Sequence, residues 1–206
     1  MPDLAHTGYM IGIEGIDAAG KHTQSSLLES WLRKKGFETA NLSFPDYDTP
    51  IGKEIRAFLS GERSYPKQVQ HMLFAANRWE KVEQVEEFRK NNKVIIVNRY
   101  SESNIVYGVA NGLRIQWLMT LEEGLPKPDL VLVLDAKPEG LRSRRPGPRD
   151  SYERNSRLQS RAQSLYRKLA PKFGWKLIDA SRDVESVHRS IVGIVQNVMK
   201  PKRRVE

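Results

Sequence analysis

The chain reads as an α/β protein in which a doubly wound parallel sheet of five strands is flanked by helices. Three observations predict it. Short apolar runs alternate with amphipathic helical stretches along the whole length. Two of the runs, KVIIVN from Lys93 and DLVLVLD from Asp129, are continuously apolar, as strands covered on both faces must be. The first run, moreover, leads directly into a glycine-rich turn and then a helical pattern.

Taken in order, Tyr9 to Ile16 (YMIGIEGI) is a short buried strand ending in the glycine turn. From His22 to Lys35, Leu27, Leu28, Trp31 and Leu32 recur at helical spacing, and Gly36 stops the helix. Thr39 to Phe44 is a second strand and Ile51 to Leu59 a short helix. Lys67 to Asn91 contains neither Gly nor Pro and is predicted as one long helical stretch. Lys93 to Asn98 and Asp129 to Asp135 are the third and fourth strands. Leu158 to Phe173 is helical, Lys176 to Asp179 is the last strand, and Val184 to Met199 is a closing helix. In such a sheet, ligands bind beyond the carboxyl ends of the strands. The glycine turn, the FPDY segment from Phe44 and the NRY segment from Asn98 all fall at such ends, so candidate chemistry converges on one rim.

Bulk properties narrow the class. The 206 residues suit one domain spanning 1–206, and no internal repeat or low-complexity linker divides it. Without cysteine there is no disulfide, thiol nucleophile or cysteine-bound zinc. No apolar run approaches the roughly 20 residues that cross a bilayer, and MPDLAHTGYM lacks the pattern of a signal peptide. A cytoplasmic address is expected. Lys and Arg number 34 against 25 acids, a net charge of +9. Part of that excess is the solvated tail 200–206, KPKRRVE. The rest concentrates in RSRRPGPRDSYER, from Arg142 to Arg154, which suits a small polyanionic ligand better than a duplex. No groove-reading helix or aromatic–basic platform accompanies it, so neither nucleic acid nor membrane is an expected partner.

The glycine turn has the form G-x-x-x-x-G-K, from Gly15 through Ile16, Asp17, Ala18, Ala19 and Gly20 to Lys21. Such a loop turns successive backbone N–H groups inward around phosphates. Lys21 adds a point charge, and the helix that follows offers its positive end. The usual hydroxyl after the lysine is replaced by His22, with Thr23 next to it. Asp17 is an unusual anion for an anion cradle. An anion there is tolerable if it faces an acceptor group or a bridging magnesium, and its plainer reading is a carboxylate that caps the following helix.

GIDAAGKHTQ, FPDY, FAANRWE, NRYSESNIVY, GLPKPDLVLVLD, RDSYER and DASR occur in the order seen in thymidylate kinases, and the chain resembles that family from about Gly8 to about Val198. FAANRWE is similar to the eukaryotic form. FPDY, SNIVY and RDSYER look more like the actinobacterial form, in which a basic residue also replaces the loop hydroxyl. The resemblance implies a P-loop kinase fold with a mobile Arg-rich lid at about 143–155, a homodimer formed through a helical face, and phosphorylation of dTMP to dTDP with ATP and Mg2+.

It also implies roles. Lys21 and the loop from Gly15 to Thr23 hold the donor. Arg99 clamps the acceptor phosphate, and Asp17 and Glu153 serve the metal. Phe74 faces the pyrimidine, Arg78 and Asn104 read its edge, and Tyr107 crowds a ribose 2'-hydroxyl. Phe44, Tyr47, Ser103, Tyr152 and Gln159 complete the acceptor pocket. Arg149 and Arg145 arrive with the lid, Arg144 stacks on adenine, and Arg182 lies at the adenine edge. One departure stands out: where family members have Asp-Arg-Tyr, this chain has Asn98-Arg99-Tyr100. With His22, it leaves fewer protein ligands for magnesium. Two alternatives accompany the reading: a kinase for another monophosphate such as dUMP or UMP, and a nucleotide-binding protein whose turnover is impaired.

Overall fold

The computed structural model describes residues 8–136 and 150–199. Its element order is β1 (Met10–Gly15), α1 (Lys21–Lys34), β2 (Thr39–Ser43), α2 (Pro50–Ser60), α3 (Lys67–Trp79), α4 (Val82–Lys90), β3 (Val94–Asn98), α5 (Ser101–Ala110), α6 (Ile115–Leu121), β4 (Leu130–Asp135), α7 (Ser151–Arg154), α8 (Ser156–Phe173), β5 (Lys176–Asp179) and α9 (Val184–Val198). The five strands form one parallel sheet in the order β2-β3-β1-β4-β5. β1 lies between β3 and β4, with Ile13 opposite Asn98 on one side and Gly15 opposite Leu134 on the other. The carboxyl ends of β1 and β3 therefore stand side by side, which is where the glycine turn and the NRY segment begin.

The sheet is held by burial on both faces. All residues of β1 and β3 are buried, and Leu28 and Leu32 of α1 join Leu132 of β4, Ile191 of α9 and Tyr166 of α8 in one core. Each such aliphatic side chain contributes about 1.5–3 kcal/mol relative to exposure. At the sheet's centre, Gly15 has φ +135° and a Cβ there would lie 2.6 Å from the Leu134 carbonyl oxygen. Only glycine lets β1 run into the turn at that spacing.

Two expectations need correction. The single helix over 67–91 is two helices, α3 and α4, broken at Glu80 and Lys81. The break orients side chains onto the FPDY turn. Glu80 accepts from the Thr49 hydroxyl (2.6 Å) and the Ile51 N–H (3.1 Å), Lys81 pairs with Asp46 (2.9 Å), and Asn77 accepts from the Asp46 N–H (2.8 Å). Helical propensity favours continuation here, and tertiary hydrogen bonding overrides it. The second is an omission: α5 and α6 fill the segment to which no element was assigned. Eight of the ten α5 residues are buried, so no amphipathic stripe marks it. The Phe44–Pro45 peptide is cis. Among the described residues no helix is long and apolar enough to cross a membrane. Most of the Arg-rich segment, with Arg144, Arg145 and Arg149, lies outside the described residues.

Candidate active site

A cavity of about 480 Å³ opens at the carboxyl ends of β1, β2 and β3. Asp17, Ala18, Gly20, Lys21, His22 and Thr23 line it from the glycine turn and the start of α1. Phe44 and Tyr47 come from the segment after β2, and Phe74 and Arg78 from one face of α3. Asn98 and Arg99 come from the end of β3, Ser103, Asn104 and Tyr107 from α5, and Tyr152 and Glu153 from α7. Of the remaining predicted site residues, Gln159 stands just behind Asp17. Gly15, Ile16 and Ala19 are buried beneath the turn. Arg182 is exposed and does not line the cavity.

The turn leaves the N-terminus of α1 without a side-chain cap. Gly20 is the N-cap of α1 with φ 97° and no side-chain cap, so the first N–H groups of α1 have no side-chain acceptor at the N-cap. Lys21 is buried, its ammonium donating to the carbonyls of Ile16 (2.8 Å) and Gly15 (3.1 Å). Burial first, and then the Arg99 charge, push it down to about 7 against the pull of Asp17, Glu14 and Glu153. Asp17 caps no helix. One of its oxygens is paired with Arg99 Nη2, and the other accepts from Gln159 Nε2 at 2.7 Å. Burial pushes this carboxyl up, but Arg99, Lys21 and Gln159 outweigh it and hold it below the usual range. His22 is exposed on the first turn of α1.

Arg99, directly after β3, has positive φ, +56°. The bend is fastened by a residue that motif reading passed over. Glu14, fully buried, accepts from the Tyr100 N–H (2.7 Å), the Ser103 hydroxyl and the Tyr166 hydroxyl (2.8 Å). A lone acid inside the apolar run YMIGIEGI was the signal for it. The Arg99 guanidinium lies 5.6 Å from the Tyr107 ring centroid, and the Tyr107 hydroxyl donates to Gln159 Oε1 (3.2 Å). Asn98 is also buried, its Oδ1 accepting from Ser25 Oγ at 2.7 Å.

The other end of the cavity is aromatic and amide. Phe74 packs edge-on against Phe58 (5.5 Å) and Tyr152 (5.8 Å). Arg78 is paired with Glu122, and Asn104 is bonded to both Glu122 and His71. His71 and Glu122 belong to no motif fragment that the sequence reading assigned to the site. No group of three or more His, Asp or Glu side chains able to hold a metal ion occurs among the described residues.

A glycine turn with an uncapped helix N-terminus that shares a cavity with the half-buried Arg99 and an aromatic–amide pocket suits an enzyme that brings two nucleotides together, a nucleoside monophosphate kinase. Residues 13–191 match the thymidylate kinase family model. The chain is 38% identical over 193 residues to a thymidylate kinase of Arabidopsis thaliana, covering 94% of this chain and 73% of that protein. It is 35% identical over 190 residues to the thymidylate kinase of Homo sapiens, covering 91% and 89%. The solved structure of thymidylate kinase from Candida albicans has a similar fold, with a TM-score of 0.84 at 29% identity and 94% of each chain covered. The chain belongs to the thymidylate kinase family.

Proposed function

We propose that this chain transfers the γ-phosphoryl group of ATP to dTMP, giving dTDP, with magnesium. The observation that carries the reading is that the cradle at Lys21 and the pocket at Phe74 and Asn104 line one cavity together with Arg99. Phosphoryl transfer needs little covalent help, so positioning and charge neutralisation do the catalysis. Lys21 and the loop N–H groups hold the donor phosphates. Arg99, a planar fork of donors, takes the acceptor phosphate. Phe74 covers the base, Arg78 and Asn104 meet its edge, and Tyr107 closes the space beside the sugar. Phe44, Tyr47, Ser103, Tyr152 and Gln159 shape the rest of the pocket. Arg145 and Arg149 act from the lid on the transferred group, with Arg144 and Arg182 toward adenine.

The donor set suits magnesium. This ion needs one or two carboxylates, with phosphate oxygens and water completing its shell. Asp17 and Glu153 line the same cavity and would hold it, directly or through water. When bound, the ion neutralises charge on the donor phosphates. Asp17 is the carboxylate of the loop itself, so it carries most of this duty.

A homodimer through a helical face completes the reading. Met72 and Trp79, seven residues apart on one side of α3, are exposed apolar side chains, as is Met119 on the neighbouring α6. Sedimentation of the purified chain tests that part. The activity is tested by coupled initial rates with ATP and a panel of dTMP, dUMP, UMP and dCMP across a magnesium titration. Preference for dTMP is the expected result. No turnover with any monophosphate, with activity appearing in Asn98→Asp, would make the parent a non-catalytic relative.

A further inference from the structure

One end of the cavity contains a buried hydrogen-bond chain whose polarity is set by Glu122, behind the cavity, and by His71, on its wall. Arg78 donates from Nε (2.9 Å) and Nη2 to the two oxygens of Glu122. Asn104 donates from Nδ2 to Glu122 Oε1 (2.6 Å) and to the His71 carbonyl (3.2 Å). Its Oδ1 lies 2.6 Å from His71 Nδ1. On the far side of the imidazole, Asn111 Nδ2 lies 3.1 Å from Nε2 and donates also to Tyr152. An amide nitrogen only donates, so Nε2 is the acceptor and Nδ1 carries the proton. Burial pushes His71 down to about 4, so it keeps this single proton through the neutral range.

These contacts leave each base-facing side chain one free function of fixed sign. A flipped Asn104 would set its oxygen against the Glu122 carboxylate and a carbonyl, and its nitrogen against the His71 N–H. In the observed orientation both amide protons are used, and Oδ1 retains one lone pair. Arg78 retains Nη1, which makes no hydrogen bond among the described residues. Both side chains line the cavity.

Building on the dTMP reading, we propose that Glu122 and His71 are positioning residues that lock Arg78 as a donor and Asn104 as an acceptor, so that the pocket takes a 4-oxo, N3–H pyrimidine and rejects a 4-amino one. Thymine and uracil present a carbonyl oxygen beside an N–H. Cytosine presents an amino group beside a bare nitrogen, and so meets donor with donor and lone pair with lone pair. Sites that hydrogen-bond their substrate reject a mismatched partner strongly, because buried groups are left unpaired.

The test is the ratio of kcat/KM for dTMP over dCMP, with dTMP over dUMP as control, in the parent, Glu122→Gln, His71→Leu and His71→Gln. Glu122→Gln removes the carboxylate, the one charged group of the three that oppose a turned Asn104, and its amide can donate to the turned oxygen. The dTMP:dCMP ratio should fall at least about tenfold while dTMP:dUMP holds within about twofold. His71→Leu should do the same. His71→Gln, which retains a donor toward Asn104 and an acceptor toward Asn111, should restore the ratio. If cooperatively melting Glu122→Gln and His71→Leu both keep the parent's dTMP:dCMP ratio, the proposal is overturned while the dTMP reading stands. A parent inert with every pyrimidine monophosphate removes that reading and the proposal with it. A measurement independent of variant folding is the 15N shift of the parent His71 ring at neutral pH, assigned by its loss in His71→Gln. The Nδ1–H tautomer is expected, and the Nε2–H tautomer would overturn the proposal.

Discussion

Arg99 and Asp17 form an ion pair inside the cavity across 82 residues of sequence, the cation on the rim of β3 and the anion within the glycine turn after β1. The pair joins the two proposed ligand sites, because Asp17 belongs to the glycine turn and Arg99 lines the proposed acceptor pocket. With Gln159 on its second oxygen, the carboxylate is held from both sides.

Removing that charge should therefore be costly. Asp17→Asn keeps the shape but leaves Arg99 without its anion and the proposed magnesium site without its loop carboxylate. Turnover should drop at least about a hundredfold, the scale of losing one strong electrostatic contact. Substitution of the exposed His22 should change it only a few-fold. Asn98→Asp keeps an acceptor for the Ser25 hydroxyl and adds a carboxylate, so it should lower the magnesium needed for half-maximal rate. Initial rates with dTMP and saturating ATP across a magnesium series measure all three. An unchanged rate and magnesium dependence in Asp17→Asn would remove the metal assignment.

Lys21 makes a prediction about protons as well as rate. Lys21→Ala should lower phosphoryl transfer at least about a hundredfold. Burial and the Arg99 charge push the group down to about 7, and donor phosphates beside it must raise that value. At pH 8 the Lys21 amine is then largely deprotonated and at pH 6 largely protonated, so nucleotide binding should take up close to one proton at pH 8 and almost none at pH 6. Calorimetry in buffers of different ionisation enthalpy reads this directly, and Lys21→Ala should abolish it. Equal uptake in the parent and Lys21→Ala would assign the proton to another group.

Sugar discrimination should be a matter of bulk. Tyr107 is buried, with its ring beside the Arg99 guanidinium and its hydroxyl on Gln159. The parent should prefer dTMP over 5-methyl-UMP by roughly a hundredfold in kcat/KM. Tyr107→Phe should keep most of that preference and Tyr107→Ala should lose it. Undiminished discrimination in the alanine variant would place the gate elsewhere.

His71 should govern part of the acid limb of stability. It is fully buried, and burial lowers its pKa from 6.5 to about 4. Between these values the unfolded chain binds the proton and the folded one does not, so stability falls as pH drops from 6.5 toward 4. The linked loss is at most of order 3 kcal/mol at the lower end. His71→Gln carries no proton equilibrium in this range, and its melting temperature should fall less steeply over that interval. Parallel slopes for parent and variant would show that other groups set the acid limb.

Local chemistry made much of the site legible. A glycine turn between an apolar run and an amphipathic helix needs only neighbouring residues to define it, and Lys21 and Asp17 lie within it. The continuous runs of β3 and β4 announced a covered sheet for the same reason. Helix α5 escaped because it is buried nearly all round and has no amphipathic period to display. The break between α3 and α4 escaped because its cause, the clamp on the turn at Asp46 and Thr49, is some thirty residues away.

The sequence by itself determined the parallel α/β class, the glycine turn before a helix and the family resemblance, since each depends on short-range spacing, composition and ordered motifs. Tertiary structure alone decided which groups are free to act. Arg99 is engaged by Asp17, Arg78 by Glu122, Asn104 by Glu122 and His71, and the Arg99 bend is fastened by Glu14. The reason is that a buried donor or acceptor is defined by the partner that satisfies it, and burial without one is costly. These partners come from strands and helices far apart in the chain, so no local pattern specifies which pairs will meet.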